Sequence, residues 1–153
     1  MIRLAVLTVS TLGYSGQRED TSGKLVQEIL CPPTYQCMAY EVVSDDRNMI
    51  VGKLVQWADQ GLVDLIITNG GTGMGPSDIT PEACLDVIEK EVPGLAETMR
   101  AQTLCKTSMA MLSRSVAGIR GNTLIISLPG SPKAVKECLG VVEEVIPHAI
   151  ALL

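Results

Sequence analysis

Apolar residues along the chain follow two patterns, short continuous runs and longer segments with helical spacing. The runs at 4–9 and 63–68 are nearly all apolar, which is typical of strands covered on both faces, and 38–44 is a third strand candidate. Between these runs, apolar residues recur every three or four positions in the segments 20–30 and 45–61. The order β-α-β-α-β predicts a parallel sheet with right-handed crossovers.

The second half of the chain predicts further helices and two more strands. We expect helices over 80–91, 94–105 and 134–152, the first of them opened by a threonine cap, a proline and an acid. The segments 117–120 and 123–128 flank Gly121-Asn122, which indicates either a hairpin or a strand entered through a turn. The polar stretch 10–16 after the first strand is predicted to be a loop.

Composition and charge restrict the class of protein. The chain has 153 residues, 46% hydrophobic and 19% charged, so we expect one folded domain over 1–153. Its 12 Lys and Arg against 17 Asp and Glu, with only 3% aromatic residues, disfavour nucleic acid as a partner, because such binding needs cations or stacking rings. A small anionic ligand is compatible with this charge, since backbone N–H groups can hold phosphate on an acidic protein.

Cysteine usage and the first residues indicate the compartment. The five cysteines are odd in number and contain neither C-x-x-C nor a zinc-binding spacing, which argues against a closed disulfide framework. The apolar run at the start ends near Val9, too early for a membrane span or a secretory leader. We therefore expect a cytoplasmic protein with reduced thiols and no membrane partner.

The segment 68–82, between a buried strand and a helix start, contains a dense glycine cluster: Gly70, Gly71, Gly73 and Gly75. Glycine permits positive φ and lets backbone N–H groups approach a phosphate. The segment matches neither the G-x-x-x-x-G-K-[ST] pattern of P-loops nor the G-x-G-x-x-G dinucleotide fingerprint. By glycine content alone, a structural turn and a ligand cradle are equally good interpretations.

Asp45 and Asp78 follow the second and third predicted strands. Capping the next helix or forming a turn would explain each of them separately. Because the C-terminal ends of parallel strands face the same side of a sheet, the two carboxylates could meet over one pocket. Such a pair suits Mg²⁺ held together with the phosphate oxygens of a substrate.

Two later loops have features that favour anions. The segment 111–122 carries serines, glycines and two arginines, which fit either an anion pocket or a solvated turn. The loop 128–133 precedes a helix, whose free N–H groups favour an anion. The sole histidine, His148, is far in sequence from every loop, so a Ser-His-Asp mechanism has little support.

Several motifs occur in order along nearly the whole chain: Gly70-Gly71-Thr72-Gly73, Asp78-Ile79-Thr80-Pro81-Glu82-Ala83, Pro93-Gly94, Leu112-Ser113-Arg114-Ser115, Gly118-Ile119-Arg120-Gly121 and Leu128-Pro129-Gly130-Ser131-Pro132. In this combination the chain resembles the MogA/MoaB family of molybdopterin-binding proteins. The resemblance implies a three-layer α/β/α fold with a mostly parallel central sheet, usually assembled as a homotrimer. It also implies Mg²⁺-dependent adenylylation of molybdopterin by ATP with release of pyrophosphate, before hand-over to the molybdenum-insertion enzyme.

The resemblance also assigns roles to individual residues. Asp45 and Asp78 match acids implicated in catalysis across the family and would hold the Mg²⁺. The glycine segment, Gly70, Gly71, Thr72 and Gly73, would cradle phosphate. Substrate contacts are further implied for Ser10, Asp20 and Ser22 in the first loop, and for Ser113, Ser115, Gly118, Arg120, Pro129, Gly130, Ser131 and Pro132 along the remaining pocket wall.

Two positions depart from the family pattern. Many relatives carry Asp where this chain has Thr11, and many carry Arg where it has Ser77. Losing a cation beside a triphosphate matters, because a hydrogen bond to a charged group typically contributes ~1.5–3 kcal/mol. Either Arg114 or Arg120 takes its place, or catalysis is weaker.

Three alternatives to an adenylyltransferase stay open. The first is a paralogue that binds molybdopterin without catalysis, and the second is an interaction module whose trimeric surface is its function. The third is a phosphate-handling enzyme of another pathway. Pyrophosphate release that requires both ATP and molybdopterin would separate the adenylyltransferase from all three.

Overall fold

The computed structural model describes residues 1–153, and its central element is a six-stranded sheet. The strands are β1 (Ile2–Val9), β2 (Tyr35–Val43), β3 (Leu65–Asn69), β4 (Lys90–Glu91), β5 (Ala117–Arg120) and β6 (Thr123–Leu128). Their order across the sheet is β2-β1-β3-β6-β5-β4. The pairs β1–β2, β1–β3 and β3–β6 are parallel, whereas β5 is antiparallel to both β6 and β4.

Seven helices and one 3₁₀ segment connect the strands. The helices are α1 (Thr11–Tyr14), α2 (Thr21–Ile29), α3 (Arg47–Asp59), α4 (Thr80–Val87), α5 (Pro93–Thr103), α6 (Pro132–Val142) and α7 (Ile146–Ala151), and the 3₁₀ segment is Ser108–Leu112. None of the helices combines the length and the apolar character that a membrane span requires.

Two hydrophobic clusters lie on opposite faces of the sheet. Successive side chains of a strand point to opposite faces, so Leu4 joins one cluster and Leu7 the other. Residues of α2, α5, α6 and α7 complete the first cluster, and residues of α3 and α4 complete the second. Burial on both faces explains why these strands have continuous apolar sequences. The predicted three-layer α/β/α fold with a mostly parallel sheet is confirmed.

The structure corrects two predicted helices. The helix expected over 80–91 ends at Val87, because the chain then forms the sheet edge, where the Glu89 N–H donates to the Ile119 carbonyl oxygen at 2.8 Å. The helix expected over 134–152 is divided into α6 and α7. Pro147 has no N–H to donate to Glu143, four residues earlier, and its ring would clash with that carbonyl in a continuous helix.

The structure also decides two loop predictions. The segments around Gly121 form a hairpin, with Gly121 at φ +54°. The first loop is not wholly irregular, because Ser10 caps the four-residue helix α1 by accepting a hydrogen bond from the Gly13 N–H.

The parallel pairing aligns the C-terminal ends of four strands at one edge of the sheet. Val9 at the end of β1 lies opposite Val43 at the end of β2, and Asn69 at the end of β3 lies opposite Leu128 at the end of β6. The loops that follow these strands therefore start side by side, where ligands of open α/β sheets bind.

We predict that Ile67→Ala lowers the free energy of unfolding by about 2–5 kcal/mol, since it leaves a cavity beneath a fully buried strand. Leu62→Ala is the control, because Leu62 is 56% exposed. Urea unfolding measures both variants. Equal losses for the two would contradict the position of Ile67 in the core.

Candidate functional site

A cleft of about 590 Å³ lies at the edge where the four parallel strands end. Its walls come from the segments after β1, β2, β3 and β6, and from the first residues of α2. Of the predicted site residues, the following line it: Ser10, Asp20, Ser22, Asp45, Gly70, Gly71, Asp78, Gly130, Ser131 and Pro132. The topology thus brings both predicted catalytic acids into one cleft.

The first two glycines of the loop after β3 cannot be replaced without displacing neighbours. Gly70 has φ +96°, and a Cβ there would lie 2.3 Å from the carbonyl oxygen of Val9. Gly71 has φ +67°, and a Cβ there would lie 2.4 Å from Thr80 Oγ1. The second of these neighbours is itself unusual, because Thr80 Oγ1 is buried and has no hydrogen-bond partner.

Residues 71–73 have their carbonyls bonded and their N–H groups free. The carbonyl of Gly71 accepts from the Thr80 N–H at 3.1 Å, that of Thr72 from the Arg114 N–H at 2.9 Å, and that of Gly73 from Arg114 Nε at 2.7 Å. The N–H groups of Gly71, Thr72 and Gly73 donate to no group of the protein. Successive free N–H groups of this kind can hold an anion. This arrangement favours the ligand-cradle interpretation of the glycines.

Asp45 has one carboxylate oxygen bonded and one free. Its Oδ2 accepts hydrogen bonds from Thr11, from Oγ1 at 2.7 Å and from the N–H at 3.2 Å. Its Oδ1 accepts none and lies 3.4 Å from the position that a Cβ on Gly71 would occupy. The free oxygen therefore lies beside the glycine loop.

Asp78 has the same division of its two oxygens. Its Oδ2 accepts from the Gly75 N–H at 2.9 Å, and no protein group donates to its Oδ1. A Cβ on Gly73 or on Gly75 would lie 2.9 Å from Oδ2, so the carboxylate packs directly against the loop backbone. Each acid thus offers one unbonded oxygen to a ligand in the cleft.

Asp20 lies in the cleft, but its oxygens are bonded within the protein. Oδ2 accepts from Thr8 Oγ1 and Tyr40 Oη, each at 2.6 Å, and Oδ1 accepts from the Gly23 N–H at the start of α2. Burial of the Tyr40 hydroxyl raises its pKa, and the hydrogen bond to Asp20 raises it further. Asp20 therefore ties β1, β2 and α2 together, a structural role in addition to the predicted substrate contact.

Three predicted contact serines also have structural hydrogen bonds. Ser10 accepts from the Gly13 N–H at 3.0 Å, and Ser131 accepts from the Ala134 N–H at 3.2 Å, so each caps a helix. Ser22 donates to the carbonyl of Gly130 at 2.6 Å, which joins α2 to the loop after β6. These bonds hold together the walls of the cleft.

A second cavity of about 470 Å³ adjoins the cleft and shares Gly130 and Ser131 with it. The remaining predicted contacts that line it are Thr72, Gly73, Ser113, Ser115 and Pro129. Apolar side chains, among them Met99 and Leu112, form part of its wall, and Arg100 stabilises the 113–115 segment by donating to the Ser115 carbonyl at 2.9 Å. The predicted site is therefore divided between two neighbouring cavities.

Two predicted contacts, Gly118 and Arg120, line neither cavity. Arg120 pairs with Asp59 at the end of α3, through Nε at 2.8 Å and Nη2 at 3.0 Å. Gly118 lies within β5 opposite Glu91, where a Cβ would lie 2.3 Å from an Ile88 methyl. Sheet packing and an ion pair therefore account for these two residues, and their predicted contact with substrate stays a prediction.

Arg114 supports the glycine loop from outside the cleft. Since Arg120 also lies outside it, neither arginine takes the place of the Arg that many relatives carry at the position of Ser77. Besides its bond to the Gly73 carbonyl, the Arg114 guanidinium donates to the Asp78 carbonyl at 2.9 Å and pairs with Glu82. The hydrogen bond between the two side chains raises the pKa of Arg114 and lowers that of Glu82. Arg114 thus fixes the loop from its carbonyl side.

Arg18 is a site residue that the sequence did not reveal. It is the only cation lining the cleft, against the four acids Glu19, Asp20, Asp45 and Asp78. Its side chain makes no ion pair, whereas nearby Lys24 is paired with Glu19 at 2.6 Å. A lone arginine in a polar loop has no motif that would have identified it.

No group of three or more His, Cys, Asp and Glu side chains is placed to hold a metal ion. A cation in the cleft would therefore take further ligands from a bound molecule, as Mg²⁺ does with substrate phosphates.

We predict that Gly70→Ala destabilises the protein and abolishes ligand binding in the cleft, because the new methyl would collide with the backbone of β1. Gly16→Ala is a matched control, since Gly16 also has positive φ, +79°, but no atom within 4 Å of the Cβ position. Strain alone should destabilise it by only ~1–2 kcal/mol. Thermal unfolding and nucleotide calorimetry measure both, and equal behaviour would refute the close approach.

The chain is similar to proteins of molybdenum cofactor biosynthesis. A family described as a probable molybdopterin-binding domain matches residues 5–148. A molybdopterin adenylyltransferase from Helicobacter pylori strain J99 is 42% identical over 154 residues, covering 99% of this chain and 88% of the relative. The molybdenum cofactor synthesis protein cinnamon of Drosophila melanogaster is 38% identical over 153 residues, which are 99% of this chain but 26% of that protein.

A solved structure agrees with the same assignment. The crystal structure of the molybdopterin biosynthesis enzyme MoaB from Thermus thermophilus is 51% identical and superimposes with a TM-score of 0.94, covering 99% of this chain and 96% of the other. The chain therefore belongs to the molybdopterin-binding domain family of molybdenum cofactor biosynthesis, as its motifs predict.

Proposed function

We propose that the protein is a molybdopterin adenylyltransferase that uses ATP with Mg²⁺ and releases pyrophosphate. One observation carries the proposal. Three free N–H groups lie in the loops at one sheet edge together with two carboxylates, each of which has one oxygen without a hydrogen bond. This combination suits a polyphosphate bound with a divalent cation. The similar protein from H. pylori is named for this activity.

The phosphates would bind to the N–H groups of Gly71, Thr72 and Gly73. The carbonyls of Gly71 and Thr72 are held by Thr80 and Arg114, so the peptide groups that carry the N–H groups of Thr72 and Gly73 are oriented before a ligand arrives. Such preorganised donors need not rearrange during the reaction. Thr80 Oγ1, buried beneath Gly71 without a partner, offers a further hydroxyl next to this loop.

The charge of the cleft supports a need for a cation. Four carboxylates and one guanidinium line it, so a bare triphosphate would meet net negative charge. The free Oδ1 atoms of Asp45 and Asp78 fit Mg²⁺, which binds through one or two carboxylates together with substrate phosphates. Mg²⁺ would neutralise phosphate charge that the protein itself leaves unbalanced.

In the reaction, an oxygen of the terminal phosphate of molybdopterin attacks the α-phosphorus of ATP. The new bond is O–Pα, the bond from Pα to the bridging oxygen breaks, and pyrophosphate leaves with that electron pair. The nucleophile is already an anion, so the residues need not supply a strong base. Their contribution is to align the two phosphates and to stabilise charge.

The second cavity would hold a ring system of a substrate. It joins the cleft at Gly130 and Ser131, so a molecule with its phosphate in the cleft can extend into it. Its apolar wall with a few serine and backbone groups is typical of sites for small heterocycles. The protein has only 3% aromatic residues, and a pterin would be held mainly by polar and backbone contacts.

A binding-only paralogue is the second candidate, because the matching family is described by molybdopterin binding alone. Pyrophosphate release by the purified protein, assayed with ATP, Mg²⁺ and molybdopterin, separates the two candidates. We expect release that requires all three. Tight binding of molybdopterin without release would identify the paralogue, and release without molybdopterin would indicate another phosphate-handling enzyme.

We also propose a homotrimer that passes its product to the molybdenum-insertion enzyme, as the family resemblance implies. The much longer cinnamon protein, which is named for molybdenum cofactor synthesis and resembles this chain over about a quarter of its length, supports coupling to another part of the same synthesis. If the protein were only an interaction module, we would expect neither ligand binding in the cleft nor pyrophosphate release.

We predict that Asp45→Asn and Asp78→Asn each abolish pyrophosphate release while leaving the melting temperature nearly unchanged, because each removes a charge that the metal requires. Asp46→Asn is the matched control, since Asp46 is adjacent but caps α3 through the Met49 N–H, a role that Asn retains. Near-normal turnover in both cleft variants would contradict the catalytic role of Asp45 and Asp78.

We predict that Arg18→Gln weakens ATP binding about tenfold or more, the effect of losing a hydrogen bond to a charged group. The control is Lys90→Gln, which changes the net charge equally at an exposed residue of β4 that lines neither cavity. Calorimetry with Mg²⁺ and ATP measures both variants. The same loss in both would mean that only overall charge matters.

A further inference from the structure

Thr11 and Asp45 are joined by three hydrogen bonds across the cleft. Thr11 Oγ1 donates to Asp45 Oδ2 at 2.7 Å, the Thr11 N–H donates to the same oxygen at 3.2 Å, and the Asp45 N–H donates to Thr11 Oγ1 at 3.1 Å. The two residues are 34 positions apart and follow neighbouring parallel strands. The hydroxyl thus acts as donor and acceptor to the same partner residue.

These bonds leave Asp45 with one defined orientation. Both donors of Thr11 meet the same oxygen, so rotation of the carboxylate would break two bonds at once. The other oxygen, Oδ1, is held beside Gly71, next to the free N–H groups of the loop. A neutral hydroxyl provides this restraint without adding a further negative charge to a cleft that already has four acids.

Stability of the fold does not explain the bonds. Thr11 is exposed, and it begins the four-residue helix α1, which buries no residue. Exposed polar pairs of this kind contribute little to folding. The restraint therefore acts on the cleft and not on the core.

We propose that Thr11 is a positioning residue, which holds Asp45 so that a single oxygen faces the substrate and its Mg²⁺. The proposal rests on the proposed function of the cleft. Loss of the Thr11 hydroxyl should therefore impair turnover and the binding of ATP with Mg²⁺. It should change neither folding nor the binding of ATP without metal.

The test uses Thr11→Val, which keeps the β-branched shape, Thr11→Ser, which keeps the hydroxyl, and Thr34→Val, an exposed threonine outside both cavities. For Thr11→Val we expect kcat to fall about tenfold or more, as for loss of a hydrogen bond to a charged group. The KM for molybdopterin should not change, and the Mg²⁺ concentration for half-maximal rate should rise. Thr11→Ser should restore both parameters, and Thr34→Val should behave as the wild type.

Calorimetry with ATP, with and without Mg²⁺, provides a readout without turnover. Thr11→Val should bind ATP more weakly than the wild type when Mg²⁺ is present and equally when it is absent. The proposal is overturned if Thr11→Val keeps the kcat and the Mg²⁺-dependent affinity of the wild type, or if Ser and Val are equally impaired.

The two proposals fail in different ways. A wild type that binds ATP with Mg²⁺ but releases no pyrophosphate would contradict the adenylyltransferase, and the calorimetric comparison of Thr11→Val with Thr11→Ser would still decide the role of Thr11. A wild type with no Mg²⁺-dependent ATP binding would overturn both proposals.

Discussion

The bonded carbonyls of the glycine loop determine what this sheet edge can bind. A peptide group whose carbonyl is occupied on one side presents its N–H to the other, and Thr80 and Arg114 hold in this way the two peptide groups that carry the N–H groups of Thr72 and Gly73. The loop can take this path because Gly70 passes so close to β1 that no side chain fits. Arg114 is itself held by Glu82 at the start of α4. The anion-binding groups of the cleft thus depend on contacts outside it.

Most polar side chains around the cleft also make hydrogen bonds within the protein. Ser10, Asp20 and Ser131 each bond the N–H groups at the start of a helix, and Ser22 bonds the loop after β6. Every one of them would be a plausible ligand contact from sequence alone. Their hydrogen bonds keep the ends of parallel strands and the helices that follow in a fixed relation. Asp45 and Asp78 differ from them, since each retains an oxygen that the protein does not use.

The layer architecture was predictable because burial on both faces makes the strands continuously apolar. The same reasoning put Asp45 and Asp78 at one edge, since parallel topology determines where strand ends meet. It failed for the helix over 80–91, where edge pairing with β5 overrides the local pattern. The contacts that Arg120 and Gly118 make within the protein are unpredictable for a similar reason. Their partners, Asp59 and Glu91, are distant in sequence, and no local signal predicts an ion pair or strand pairing of that kind.

The central claim is that the triphosphate of ATP lies between the glycine loop and the carboxylates of Asp45 and Asp78. A crystal structure of the protein with Mg²⁺ and a non-hydrolysable ATP analogue tests it most directly. The account predicts phosphate oxygens on the N–H groups of Gly71, Thr72 and Gly73, and Asp45 and Asp78 would hold the metal that neutralises the phosphates. Phosphates bound away from these N–H groups and from both carboxylates would contradict it.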